Sequence, residues 1–214
     1  MPTELILVRH GETAWNRERR MQGQTDTPLS SRGVAQAEAL GQRFLTIAFD
    51  ALYSSDLKRA QDTALAISRS CGKPVGLDPG LRERTFGIFE GLTYEEIKLQ
   101  YADLHVRFFN READFALPGA ESPRQFYERS LACLEAIAQK HEGKTVVVVT
   151  HGMVLDTLYR TSHQLALEKK REAPLLNASL NRFRYDSGRW VELVWADVAH
   201  LSEVGFMSFE SRSN

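Results

Sequence analysis

Residues Thr145 to Thr150 read TVVVVT, and no other stretch restricts the fold so tightly. Four consecutive β-branched valines crowd a helix at χ1 but sit well on a pleated strand. Apolar on both alternations, the strand must be covered on both faces, as in a parallel sheet packed between helices. Leu5 to Val8 is a second run of this kind, Ala51 to Ser54 a third and Val75 to Leu77 a fourth.

Helical stripes lie between these runs. Ser31 to Leu45 sets Val34, Ala37, Leu40, Gly41 and Phe44 three and four apart, and Leu57 to Ile67 repeats the pattern with Leu57, Ala60, Ala64 and Ile67. Ser122, Pro123 and Gln125 form a capping box with proline in the first helical position, and Gly143 closes that segment. Ser179–Tyr185 and Trp190–Val194 flank Asp186, Ser187 and Gly188 and read as a hairpin. The segment 87–119 has aromatics, mixed charge and weak periodicity, so one or two short helices forming a cap are expected there. Strand and helix alternate, which predicts an α/β fold with a mainly parallel central sheet. A chain of 214 residues fits one such domain, 1–214, with the cap inserted.

A net charge of −1 argues against nucleic acid as a partner, so an anion site must be local. The four apolar residues before Arg9 are too few for a signal peptide or a membrane span, and a cytoplasmic protein without membrane contact is expected. Cys71 and Cys133 lack the number and spacing of a disulfide or metal framework, and Cys133 reads as a small core residue.

Ligands of an open α/β sheet bind beyond the carboxyl ends of its strands. Those ends carry Arg9-His10-Gly11, Thr150-His151-Gly152 and Ser54-Ser55-Asp56, with Arg59 in the next helical turn. Two histidines and two arginines therefore converge on one edge. Guanidinium forks match phosphate oxygens in pairs, and the N-termini of the helices after Gly152 and before Arg59 are expected to add backbone donors. Adjacent guanidiniums repel a divalent cation, so no metal is expected. His105, His141 and His163 sit among polar residues without a motif and read as ordinary core or surface histidines.

Leu7 to Asn16, LVRHGETAWN, resembles the opening signature of the histidine phosphatase superfamily, in its phosphoglycerate mutase-like branch. Met21–Gly33, Leu52–Ala64, Leu81–Thr93 and Val149–Leu158 follow in that family's order. The resemblance implies a three-layer α/β sandwich with helices on both faces and a small helical cap. It implies that His10 is the nucleophile, that Arg9, Arg59 and His151 hold the phosphoryl oxygens with Asn16 and Gly23, and that Glu83 protonates the leaving group. Glu12 is a rival carboxylate to which the family gives no acid role. The implied substrate is a small phosphate ester, with no cofactor, acted on by a monomer or homodimer.

Phosphatase and 2,3-bisphosphoglycerate-dependent mutase share this chemistry. The mutases carry a lysine where Tyr94 stands, and a longer insertion with paired arginines where Tyr101–Gly119 has only Arg107 and Arg111. The expected cap is more aromatic, with Tyr94, Phe108, Phe109 and Phe115. The ending, Trp195–Gly205, is similar to small bacterial broad-specificity phosphatases. A phosphatase is the expectation.

Overall fold

Val146 to Val149 are fully buried in the middle of a six-stranded sheet. A computed structural model describes residues 1–205 of the chain. Its strands are β1 (Thr3–Arg9), β2 (Ala51–Ser54), β3 (Val75–Leu77), β4 (Thr145–Thr150), β5 (Leu180–Asp186) and β6 (Arg189–Asp197). They lie in the order β3-β2-β4-β1-β5-β6, the first four parallel and the last two joined on antiparallel. The helices are α1 (Ala14–Glu18), α2 (Ser31–Phe44), α3 (Lys58–Cys71), α4 (Tyr94–Gln100), α5 (Ala102–Phe109), α6 (Pro123–Lys140) and α7 (Gly152–His163).

The alternation of side chains along β1 and β4 divides the core into two layers. Leu5, Leu7, Val146 and Val148 pack with Phe126, Leu134 and Ile137 of α6 and Val154, Leu155 and Leu158 of α7. Ile6, Val8, Val147 and Val149 pack with Leu40 and Phe44 of α2 and Ala60, Ala64 and Ile67 of α3. Each buried valine contributes about 1.5–3 kcal/mol relative to exposure. The three-layer α/β sandwich is thus present, helices on both faces.

Local signals hold at several ends. Ser30 accepts the Gly33 N–H to start α2, and Ser122 and Gln125 cap α6 reciprocally. Helix α3 runs four residues past Ile67, to Gly72 in the left-handed region; Ser68 to Ser70 carry no apolar mark, and Cys71 packs against the second layer. Strand β6 runs three residues past Val194. A register shift between Leu180 and Arg182 interrupts the alternation there, and Asn181 Oδ1 accepts the Ala196 N–H. Cys133, expected inside, is partly buried against the first layer.

Within 87–119, α4 starts at a Thr93–Glu96 capping box and α5 follows it directly. These helices enclose a third apolar cluster of Met21, Phe86, Phe89, Ile97 and Leu117. Among the described residues no helix is long and apolar enough to cross a membrane.

Candidate active site

Arg9 and Thr150 close neighbouring parallel strands and are register partners. The residues after them, His10 and His151, therefore leave the sheet side by side. Their ring centroids lie 5.2 Å apart, and both rings are buried. His10 Nδ1 is 2.7 Å from the Gly11 carbonyl, which can only accept, so Nδ1 carries the proton and Nε2 keeps its lone pair. Burial first, then the charges of Arg59 and Arg9, hold the His10 pKa well below 6.5, leaving a neutral ring at pH 7.

The two guanidiniums are fixed by backbone carbonyls. Arg9 Nη1 donates to Leu175 O at 2.7 Å. Arg59, fully buried in the first turn of α3, donates from Nη2 to Gly23 O at 2.7 Å and from Nη1 to Thr25 O at 3.0 Å. Burial lowers both pKa values, that of Arg9 to about 10, and both groups stay charged at neutral pH. Arg9 Nε, Arg59 Nε and His151 Nδ1 are buried without a hydrogen-bond partner among the described residues. Buried polar groups are seldom left so. Such a set suits the peripheral oxygens of a phosphoryl group.

Asn16 and Gly23 line the same cavity, of about 920 Å³. Asn16 Oδ1 accepts the Thr13 N–H at 3.1 Å and Asn177 Nδ2 at 3.2 Å, which leaves the amide nitrogen as the donor end. Gly23 adopts φ +55°, and a Cβ there would overlap the Glu90 carboxylate. That carboxylate gathers Gln24 N, Thr25 N, the Thr25 hydroxyl, the Thr85 hydroxyl and Phe86 N, and so fixes the 22–25 loop from which Arg59 hangs.

Glu83 also faces the cavity. The surface ion pair that its neighbours suggest does not form, because Arg82 is bound to Asp56 at 2.6 and 2.7 Å. Glu83 Oε1 accepts the Arg84 N–H and Oε2 the Met153 N–H. Burial raises its pKa above 4.5, against the pull of those bonds and of Arg59 and Arg9. Among the cavity-lining carboxyls it is the one that burial shifts toward its protonated form. Glu12 lies elsewhere, buried against Ser30 and Arg32.

The helix termini differ from expectation. Lys58 N–H of α3 donates to Asp26 Oδ1 at 2.8 Å, and Met153 N–H of α7 goes to Glu83, so these two donors are spent on carboxylates. Tyr94, Phe108 and Phe109 line the cavity, whereas Phe115 does not and lies 4.0 Å under the Arg107 guanidinium. His105, read as an ordinary core or surface histidine, is a cavity-lining ring 4.4 Å from that of Phe109. Gln22, Arg84 and Asn177 are functional candidates that motif reading passed over. Gln22 and Arg84 abut motif residues, Gly23 and Glu83, and adjacency is the signal that could have found them. Asn177, whose Nδ2 holds the His10 carbonyl at 3.0 Å, lies in a stretch without periodicity and had none. Among the described residues no three His, Cys, Asp or Glu stand close enough to share a metal ion.

The sequence profile described as "Histidine phosphatase superfamily (branch 1)" matches residues 5–198. The chain belongs to the histidine phosphatase superfamily. Members transfer a phosphoryl group through a histidine, and this chain is a phosphoric monoester hydrolase among them. It is similar to the metal-independent phosphoserine phosphatase of Arabidopsis thaliana, 43% identical over 208 residues that cover 96% of this chain and 86% of that protein. It is similar also to phosphoglycerate mutase-like protein 4 of the same plant, 40% identical over 95% of this chain and 89% of the relative. Among solved structures, Bacillus stearothermophilus YhfR superposes with a TM-score of 0.86 at 35% identity, over 94% of this histidine phosphatase and all of that chain.

Proposed function

We propose that this phosphatase acts on a small phosphomonoester with a second anionic group, phosphoserine being the leading candidate, and that His10 Nε2 attacks its phosphorus. Arg9, Arg59, His151, Asn16 and the Gly23 loop then hold the phosphoryl oxygens, where transition-state charge accumulates. Glu83 gives its proton to the departing alkoxide and afterwards takes one from the water that hydrolyses phosphohistidine. Metal ions have no part in these steps. The reading treats 1–214 as one domain with 87–119 as its cap, monomeric or homodimeric. Two unpaired cysteines suit a reducing, cytoplasmic setting.

The observation that carries the reading is the pair of buried imidazoles, 5.2 Å apart, bracketed by two buried guanidiniums with Glu83 beside them. Arg84 supports the substrate class. Its guanidinium sits 5.6 and 5.4 Å from the rings of Phe86 and Phe108 and spends Nε on Glu121 O, which leaves the fork's other donors for a substrate carboxylate. The similarity to a phosphoserine phosphatase points the same way.

A panel of phosphate esters assayed with and without 2,3-bisphosphoglycerate tests it. Phosphate release that favours phosphoserine, indifferent to the bisphosphate, is expected. Bisphosphate-dependent interconversion of phosphoglycerates would make the chain a mutase.

A further inference from the structure

Ser55 follows β2 directly and takes no part in the chemistry above. Its hydroxyl is fully buried, 2.8 Å from Nε2 of His151. Distance alone does not say which atom donates, but counting protons does. Ser55 Oγ already accepts the Leu57 N–H at 3.3 Å. Were Nε2 also a donor, the serine's own proton would have no acceptor among the described residues, and Nδ1 would be a buried bare lone pair within the field of Arg59 and Arg9, where an anion is favoured. Reversing the bond gives the serine proton an acceptor and makes Nδ1 a donor that a phosphoryl oxygen can satisfy. The serine proton goes to Nε2, the imidazole proton to Nδ1, and Nδ1–H becomes a donor with no partner among the described residues.

We infer that Ser55 is a positioning residue: it fixes His151 in the Nδ1–H tautomer, so that His151 meets the phosphoryl group as an uncharged donor. Burial, followed by Arg59, His10 and Arg9, keeps the His151 pKa well below 6.5, consistent with a neutral ring. A neutral donor stabilises a phosphoryl oxygen without adding positive charge next to His10, whose lone pair must stay available. The inference rests on the phosphoryl-transfer reading, yet the tautomer is observable without substrate, so the two can fail separately.

The test is a long-range proton–nitrogen NMR correlation of the imidazole rings, with selectively labelled histidine, on the ligand-free protein near pH 7.5. Wild type is expected to show His151 protonated at Nδ1 and bare at Nε2. Ser55→Ala should lose that preference and drop kcat at least about tenfold while KM moves less than about threefold, and Ser55→Thr, which keeps a hydroxyl, should restore both signals. Protonation at Nε2 in wild type overturns the inference. So does a folded Ser55→Ala that retains the Nδ1–H tautomer, whatever its rate. If thermal melting shows Ser55→Ala unfolded, the wild-type spectrum decides alone. A correct tautomer in a protein that never forms phosphohistidine would count against the proposed function instead.

Discussion

At the scale of single residues, the proposed mechanism asks most of Glu83, since a carboxyl group donates a proton near neutrality only where its anion is disfavoured. Burial does this, raising its pKa above 4.5, while Arg9 and Arg59 limit the rise. Glu83→Gln should therefore cut turnover of phosphoserine by about 10²–10⁴, the usual worth of general acid catalysis, and cut p-nitrophenyl phosphate far less because nitrophenolate leaves unaided. The raised pKa keeps the proton bound to higher pH. Phosphoserine turnover should thus decline as pH rises through that value, and the nitrophenyl ester should lack this limb; steady-state pH profiles of both check it. Equal losses on both esters would assign the proton to another group. Glu83 was legible only through a motif, because Arg82 and Arg84 beside it look like surface ion-pair partners. Sequence cannot tell that Arg82 turns to Asp56 while Arg84 lies against the touching rings of Phe86 and Phe108.

At the scale of elements, the site is made by strand ends and the loops that leave them. The apolar runs of β1 and β4 were plain because burial on both faces removes polar residues from the pattern. The convergence of His10, His151 and Arg59 followed from the places of the two histidines at strand ends and of Arg59 in the first helical turn beyond another. The loop residues that support them carry no period. Asn177 grips the His10 carbonyl from a loop, and Glu90 collects five donors from two others. Gly23→Ala tests that support. It places a Cβ in the left-handed region and drives it into the Glu90 carboxylate. A stability loss of about 1–3 kcal/mol by denaturant unfolding is expected, with a drop in kcat as the carbonyls that hold Arg59 move. Wild-type stability and kcat would mean that the loop does not depend on this geometry.

At the scale of the whole molecule, two cationic side chains and two imidazoles are buried at one end of a close-packed sandwich, which makes stability depend on pH. The pKa values of His10 and His151 are held well below 6.5, so the unfolded chain binds protons that the fold refuses. Their contribution is present above about pH 6.5 and is lost as pH falls. Glu83 acts in the opposite sense, since its raised folded pKa favours the native state at lower pH. Melting temperature should fall from pH 7 to 5, less steeply in His10→Asn and more steeply in Glu83→Gln. Scanning calorimetry across that range measures it, and identical slopes in all three proteins would contradict the assigned burial.

The most direct measurement is rapid acid-free quenching of the enzyme with ³²P-labelled phosphoserine during turnover. Label that is stable to base, labile to acid and absent from His10→Ala is the predicted result. Equal labelling of His10→Ala, or turnover of phosphoserine by wild type with no labelled protein at any time, would contradict phosphoryl transfer through His10.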